Sequence, residues 1–378
     1  MQTEGTIMDN TLFSQAEVAD PFALYAERRA RHELAWDRAN AIWAVYSYVG
    51  CRLLLDDTRA QIPAHPPAAH QVLDAHAATI VRNLVRLANP PAHAQFRQVA
   101  LQCYERLQSA DIATVMHRLI GTRSEIDWVD EVCRKLPALA LLNGFGFARE
   151  DADEILAHLE ALTKIMLPSR SAEQLRAVNA AADAVYPLME RQLRDSLRIR
   201  CDNQATHEAC VSNLIGLLIQ SVDAGRGLLS NALLSLLRSP TAATTDAGAV
   251  QRIVVETLRF DPPVHNTRRV AAEDIRLQGE TITKGQAVLL VLAAANRDPA
   301  RFADPDRFDI ERSNNGEHLT FGAGAHACVA QHLSIRLAVD VLQWLRDHYP
   351  RTQLLQRDIC YEPLVNARLP RQLRIALG

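Results

Sequence analysis

Residues His318 to His332 read HLTFGAGAHACVAQH, and no other run constrains the chain as much. Gly322 and Gly324 permit backbone conformations closed to other residues and let the chain approach a ligand closely. Cys328 follows, and a helical pattern begins directly after it, so the thiol is expected at the mouth of a helix. There, exposed N–H groups and the positive end of the helix dipole favour the thiolate. A thiolate is the ligand that a soft metal centre takes. A lone cysteine beside a tight turn is otherwise a small buried hydrophobe. The Phe-Gly-Ala-Gly-Ala-His-Ala-Cys spacing favours the ligand reading.

The chain has 378 residues, of which 48% are apolar, enough to bury a large core. Fifteen glycines and seventeen prolines are too few for an extensively disordered or all-β chain, and long Ala/Leu/Arg/Glu stretches point to a mainly α fold with small β-sheets. A formal charge of -3 argues against a general nucleic-acid binder. Cys51, Cys103, Cys133, Cys201, Cys210, Cys328 and Cys360 are dispersed and odd in number, with no CxxC pair, which fits a reducing compartment better than a zinc or disulfide framework. The first thirty residues hold acidic side chains and no apolar run, and no segment is long enough to span a membrane, so a cytoplasmic protein without membrane attachment is expected. No repeat, linker or low-complexity stretch appears, and residues 1–378 are expected to form one domain, as a monomer.

Taken in order, Asp20 to Arg31 predicts a short helix opened by Asp-Pro, Ala41 to Tyr48 a strand, and Val49 to Asp56 a helix. Gln61 to His70 is a loop whose His65 and His70 read as solvent-exposed rather than as ligands. Asn89 to Cys103 predicts a helix with prolines at its start and with His93 and Arg97 on one face. Arg149 to Met166 and Ala172 to Leu197 predict a helix pair. Ala205 to Arg238 is the longest helical pattern, about 50 Å at 1.5 Å per residue, apolar nearly all round and interrupted by Gly225 and Gly227. Asp223 and Arg226 there have the spacing of a surface ion pair. Val250 to Phe260 predicts a helix that sets Glu256 beside Arg259. A hairpin with turns at Gly279 and Gly285, a strand over Ala287 to Leu292, a long turn over Asn296 to Phe308, a helix over Ser334 to His348 and short strands from Gln353 complete the chain.

The run FGAGAHAC resembles the haem-binding loop of the cytochrome P-450 superfamily, and Glu256-x-x-Arg259 resembles that family's ExxR signature. The order of the other elements agrees with the family over essentially the whole chain. The resemblance implies the P-450 fold, haem b between the long central helix and the cysteine loop, and Cys328 as the axial ligand of the haem iron. His93, Arg97, Arg269 and His326 would bind haem propionates, Phe321 would pack near the sulfur side, and Glu256 and Arg259 would be structural. The helix pair would form a lid. Electrons would come from NAD(P)H through a ferredoxin or flavodoxin and its reductase, and the reaction would be monooxygenation of a small, secondary-metabolite-like molecule. Val264, His265, Asn266 and Leu364 are expected on the substrate pocket, whose walls would run over residues 61–81, around Pro168, and over 221–224, 264–267 and 363–365.

Two positions depart from the family. Ala330 stands where most members have glycine and would sit close to the haem. The oxygen-activating segment reads Gln220-Ser221-Val222-Asp223-Ala224, so the acid is present and alanine replaces the usual threonine. The missing hydroxyl removes one donor and one acceptor. Three outcomes follow: a substrate hydroxyl or ordered water takes over with help from Asp223, Ser221 or Gln220; the enzyme uses peroxide or performs a coupling or rearrangement; or the protein binds haem as a sensor or docking partner without oxygenating anything.

Overall fold

Local signals set the first elements. Asp20 caps α1 (Pro21–Arg31), its carboxylate accepting from the N–H groups of Phe22 and Ala23, with Pro21 at the first helical position. Ala41, at φ +50°, turns the chain between β2 (Leu34–Asp37) and β3 (Ile42–Val45), and Ser47 caps α2 (Tyr48–Asp56). The strand expected over Ala41 to Tyr48 is thus shorter at both ends, and β2 has no counterpart in the expected set. It pairs antiparallel with β3 and is recruited by that neighbour rather than by its own pattern. The computed structural model describes residues 7–8, 10–64, 72–167, 169–199, 201–238 and 248–378. His65, His70 and Pro168 therefore lie outside the described residues.

Contact density divides the chain into two compact units. The first comprises residues 1–63, 120–133 and 223–378. Its main sheet has the order β1 (Ile7–Met8), β2, β3, β9 (Ala287–Leu290), β6 (Thr267–Ala271), β4 (Ala60–Gln61). β3 and β9 run parallel, with Trp43 opposite Val288 and Val45 opposite Leu290. Side chains alternate between two cores. Trp43, Val45, Val288 and Leu290 face one that includes Leu54 and Leu55 of α2 and Leu319 and Ala323, and Ile42, Ala44 and Leu289 face one with Tyr25 and Tyr46. The segment leading to Cys328 is therefore rooted in the core beneath the sheet. β5 (Glu125–Asp127), the hairpin of β7 (Ile275–Leu277) and β8 (Glu280–Ile282), helices α10 (Ala249–Phe260), α11 (Leu292–Ala295) and α12 (Gln331–His348), and strands β10 (Gln353–Leu354) and β11 (Arg374–Ala376) complete the unit.

The second unit, residues 64–119 and 134–222, is helical among the described residues. It holds α3 (Ala75–Asn83), α4 (Ala92–Tyr104), most of α5 (Ile112–Ile120), α6 (Leu136–Gly144), α7 (Arg149–Thr163) and α8 (Ala172–Gln192). Residues 105–148, to which the sequence pattern assigns no element, thus form α5, β5 and α6; α6 is buried on nearly every side and so carries no helical periodicity. A 3-10 turn (Lys164–Met166) extends α7, and a capping box of Ser171 and Gln174 opens α8. α9 (Gln204–Arg238) begins in this unit and ends in the first, unbroken at Gly225 and Gly227. Among the described residues no helix is long and apolar enough to cross a membrane.

Candidate functional site

The approach to Cys328 is fixed from both sides. Leu319 N–H donates to Asn296 Oδ1 at 2.7 Å, Asn296 Nδ2 donates to Thr320 Oγ1 at 2.9 Å, and Thr320 Oγ1 donates to the Leu258 carbonyl at 2.5 Å. Gly322 (φ +70°) turns the backbone back, and Gly324 (φ +63°) opens a single 3-10 turn, Gly324–His326. A Cβ on Gly324 would lie 2.5 Å from the Leu55 carbonyl oxygen, whereas one on Gly322 would meet nothing nearer than 3.8 Å. The close approach that the glycines permit is, at Gly324, an approach to α2. The loop closes as Cys328 N–H donates to the Phe321 carbonyl at 2.9 Å.

Cys328 and Cys360 are exposed and Cys201 is half-buried, whereas Cys51, Cys103, Cys133 and Cys210 are buried; of the two exposed thiols, Cys328 is the one on the glycine loop. The expectation that the helix starts directly after the cysteine needs correction. α12 begins at Gln331 with Ala330 as its N-cap residue, and a turn separates it from the thiol. Ala330 adopts φ −100°, a conformation open to any L-residue, so alanine in the glycine position carries no backbone strain.

Behind the loop, Glu256 and Arg259 are wholly buried and form a two-point pair: Nε to Oε2 at 2.9 Å and Nη2 to Oε1 at 2.7 Å. Arg259 also donates to the carbonyls of Asn296 (3.1 Å), Pro305 (2.9 Å) and Arg307 (3.1 Å), while Glu256 Oε1 accepts from Asp309 N–H at 2.9 Å. Arg312 Nε lies 3.6 Å from the same carboxylate oxygen. The long turn after Asn296 is wrapped around this pair, and Asn296 serves both the pair and the cysteine loop. Sequence reasoning missed Asn296, Thr320 and Arg312, because single polar residues in irregular segments have no periodicity to mark them. Burial, and Arg259 beside it, push the His318 imidazole down to about 4.

The other expected site residues fall as follows. Arg269 lies on β6, buried, with Nη1 donating to Thr267 Oγ1 (3.1 Å) and the Arg268 carbonyl (2.8 Å). His326 is half-buried in the 3-10 turn, and Phe321 is half-buried with its ring 5.7 Å from that of His318. In the second unit, His93 is buried on α4 with Arg97 one turn on, half-buried; burial and then the Arg97 charge lower the His93 pKa. On α9, the Gln220 amide donates to the Gly216 carbonyl (3.0 Å) and the Ser221 hydroxyl to the Leu218 carbonyl (2.7 Å). Asp223 is exposed and Ala224 half-buried. Arg226 does not form the surface pair with Asp223 that the spacing suggests; it is buried and bonds to Glu362 instead.

Val264 and Leu364 are half-buried, and Asn266 is buried with its amide on the Val365 carbonyl at 2.9 Å. His265, expected on a pocket wall, is fully buried against the rings of Phe22 and Tyr25, with Nδ1 3.1 Å from the Tyr25 hydroxyl. Its pKa is lowered well below the ordinary value by burial. As the residue between Val264 and Asn266 in an extended segment it must face the other way, toward α1.

Residues 248–337, from α10 to the start of α12, match the family model for Cytochrome P-450. A relative described as cytochrome P-450 133B1, from Xylella fastidiosa, is 30% identical over 294 residues, covering 71% of this chain and 73% of the relative. The chain belongs to the cytochrome P-450 family. The biotin biosynthesis cytochrome P-450 of Bacillus subtilis is 27% identical over 98% of this chain and 99% of its own. The crystal structure of P-450BioI in complex with acyl carrier protein ligated to hexadec-9Z-enoic acid superposes with a TM-score of 0.80 at 26% identity, over 95% of this chain and 99% of that one. CalO2 superposes with a TM-score of 0.82 at 23% identity, which speaks to the fold alone. This P-450 thus has the mainly α fold with small sheets expected from its sequence, and it is an oxidoreductase of the monooxygenase type. Membership implies haem iron, and the donor set fits it: one exposed thiol on a loop fixed at both ends is suited to a single-thiolate centre rather than to a closed multi-cysteine site.

Proposed function

We propose that this P-450 oxidises a small organic molecule with dioxygen, using two electrons that NAD(P)H supplies through a ferredoxin or flavodoxin and its reductase, and that Cys328 would hold the haem iron through its thiolate. The observation that carries the reading is the exposed Cys328 thiol on a loop tied to the buried Glu256–Arg259 pair through Asn296. Haem held by a thiolate supplies the oxidising chemistry, because the sulfur pushes electron density toward the iron. The residues of the chain have the remaining tasks. Arg269 and His326 would bind propionate carboxylates through charge-assisted bonds, and the family pattern assigns the same task to His93 and Arg97. The backbone between Phe321 and Cys328 keeps the sulfur in place.

The oxygen-side segment gives the reading its particular form. Ser221 and Gln220 have side chains committed to carbonyls of their own helix, and Ala224 has no hydroxyl. Asp223 is the exposed acid left in the segment, and a hydroxyl supplied by substrate or by water stands in for the absent threonine. A hydroxylated substrate of the secondary-metabolite kind therefore suits the site. Similarity to P-450BioI adds a carrier-tethered acyl chain as a form in which to present it. The same alanine supports a second reading, in which peroxide rather than dioxygen is the oxidant. A carbon monoxide difference spectrum of the reduced protein tests the thiolate: the red-shifted band is expected, and a protein that takes up no haem overturns the proposal. The fraction of NADPH electrons recovered in product then separates the oxidants. Tight coupling in wild type, not improved by Ala224→Thr, is expected for substitution by substrate or water.

A further inference from the structure

One face of the second half of α9 is fastened to a short ribbon. In that ribbon Val264 bridges Ala367, His265 N–H donates to the Asn366 carbonyl at 2.9 Å, Asn266 Nδ2 to the Val365 carbonyl at 2.9 Å, and Arg368 N–H to the Pro263 carbonyl at 3.0 Å. The two stretches that hold Val264 and Leu364 are therefore one mechanical piece. Helix and ribbon meet with no room to spare. A Cβ on Gly227 would lie 2.4 Å from Leu369 Cδ2 and 2.5 Å from Pro263 Cβ, and Asn231 Nδ2 donates to the Asp261 carbonyl at 3.0 Å. At the end of this contact nearest Ala224, Arg226 Nη2 donates to Glu362 Oε1 at 2.5 Å and to the Pro370 carbonyl at 3.0 Å. Arg371 Nε stands 3.7 Å from the other oxygen of Glu362. The Arg226 side chain is 5% exposed and that of Glu362 20%.

We infer that Arg226 and Glu362 are a positioning pair, which sets how far the ribbon residues Leu364 and Val365 stand from Asp223 and Ala224 and so selects the shape of substrate the site takes. The inference rests on the proposed reading that Ala224 and Leu364 line the substrate side. Arg226 lies on α9 one turn after Asp223, and Glu362 lies two residues before Leu364, whose N–H donates to the Glu362 carbonyl at 2.8 Å. Displacement at the pair is transmitted to both with little slack. Farther along the contact the helix meets the ribbon through Gly227, against Leu369 and Pro263, and through the Asn231 amide; at this end a charged, hydrogen-bonded pair fixes the register.

Three full-length proteins test this: wild type, Glu362→Gln, which keeps an oxygen to accept from Arg226, and Glu362→Ala, which does not. The probes are 1-phenylimidazole and 4-phenylimidazole, read by the Soret shift as each ligates the iron; the ratio of their two affinities reports pocket shape rather than overall stability. Glu362→Ala is expected to change that ratio by about fivefold or more, and Glu362→Gln by less than about twofold. A ratio unchanged in Glu362→Ala, or equal change in both variants, overturns the inference. Amide hydrogen exchange supplies a readout that needs no haem. Glu362→Ala should speed exchange at the ribbon amides 264–267 and 364–368 and in α9 around residue 226 together, by about tenfold. Faster exchange at residue 362 and its immediate neighbours alone refutes coupling. A protein without the thiolate spectrum would sink the proposed function, while the exchange data would still decide the pair.

Discussion

Glu256→Ala is the perturbation whose effect the structure specifies most fully. The carboxylate accepts two bonds from Arg259, at 2.7 and 2.9 Å, and one from Asp309 N–H at 2.9 Å, with Arg312 Nε 3.6 Å away. Alanine leaves two guanidinium groups facing one another's charge in a site where Arg259 is fully buried and the Arg312 side chain is 8% exposed. Removing one partner of a buried pair costs ~3–5 kcal/mol, and a stranded N–H adds ~1–3 kcal/mol. Against a typical domain stability of ~5–15 kcal/mol, the loss takes most of the margin. Glu256→Gln keeps an acceptor for Asp309 N–H or for Arg259 and should cost visibly less. Urea unfolding of the haem-free protein, followed by tryptophan fluorescence, gives the stabilities, and the carbon monoxide difference spectrum gives the fraction that assembles. Glu256→Ala within ~1 kcal/mol of wild type would refute the reasoning, as would equal losses in the two variants.

Acid should destabilise the first unit through its buried histidines. His318 is pushed down to about 4 and His265 well below its ordinary value, so as pH falls the unfolded chain takes up protons first. Their contribution is complete above ~6.5, the unfolded value, and is lost as pH falls from there, down to about 4 for His318. For His318 alone the fall from ~6.5 to about 4 corresponds to ~3 kcal/mol. Urea midpoints between pH 7.5 and 4.5 should fall in wild type and fall less in His318→Gln; a flat wild-type profile counts against the burial argument. Gly324→Ala should abolish haem uptake, since its Cβ meets the Leu55 carbonyl, while Gly322→Ala, with open space, should cost only ~1–2 kcal/mol of left-handed strain; absorbance at the Soret band per mole of protein compares them. Cys328→Ser should retain the fold by circular dichroism and lose the red-shifted carbon monoxide band.

Much of this was legible in the residue string. α1, α2, α4, α7 to α10 and α12 are announced by caps, prolines and apolar periodicity. The cysteine loop and the Glu256–Arg259 pair are announced by spacing alone. What periodicity could not carry is partnership. Asp223 and Arg226 have the spacing of an ion pair, yet Arg226 turns inward because Glu362, distant in sequence, offers a buried carboxylate. His265 looked like a polar pocket residue, but strand alternation turns it toward Tyr25 while its neighbours face the other way. Residues 105–148 gave no pattern because α6 is apolar on all sides and β5 is a three-residue strand completed by β11. In each case the deciding neighbour lies far along the chain, beyond the reach of any local window.

The interleaved order of the main sheet has a consequence for biosynthesis. β3 emerges from the ribosome early, yet its neighbour β9 is made some 245 residues later, Ile42 lying beside Ala287. At ~5–20 residues per second the apolar run Ile42–Val45 waits roughly 12–50 s for that partner, with β2 alone to cover one edge. The core under the cysteine loop closes only then, and the loop itself, resting on Leu55 of α2, follows later still. Haem capture is thereby placed after both β9 and the cysteine loop have been made. Slow translation with ample haem at that stage should raise the yield of holoprotein more than haem added to the finished chain.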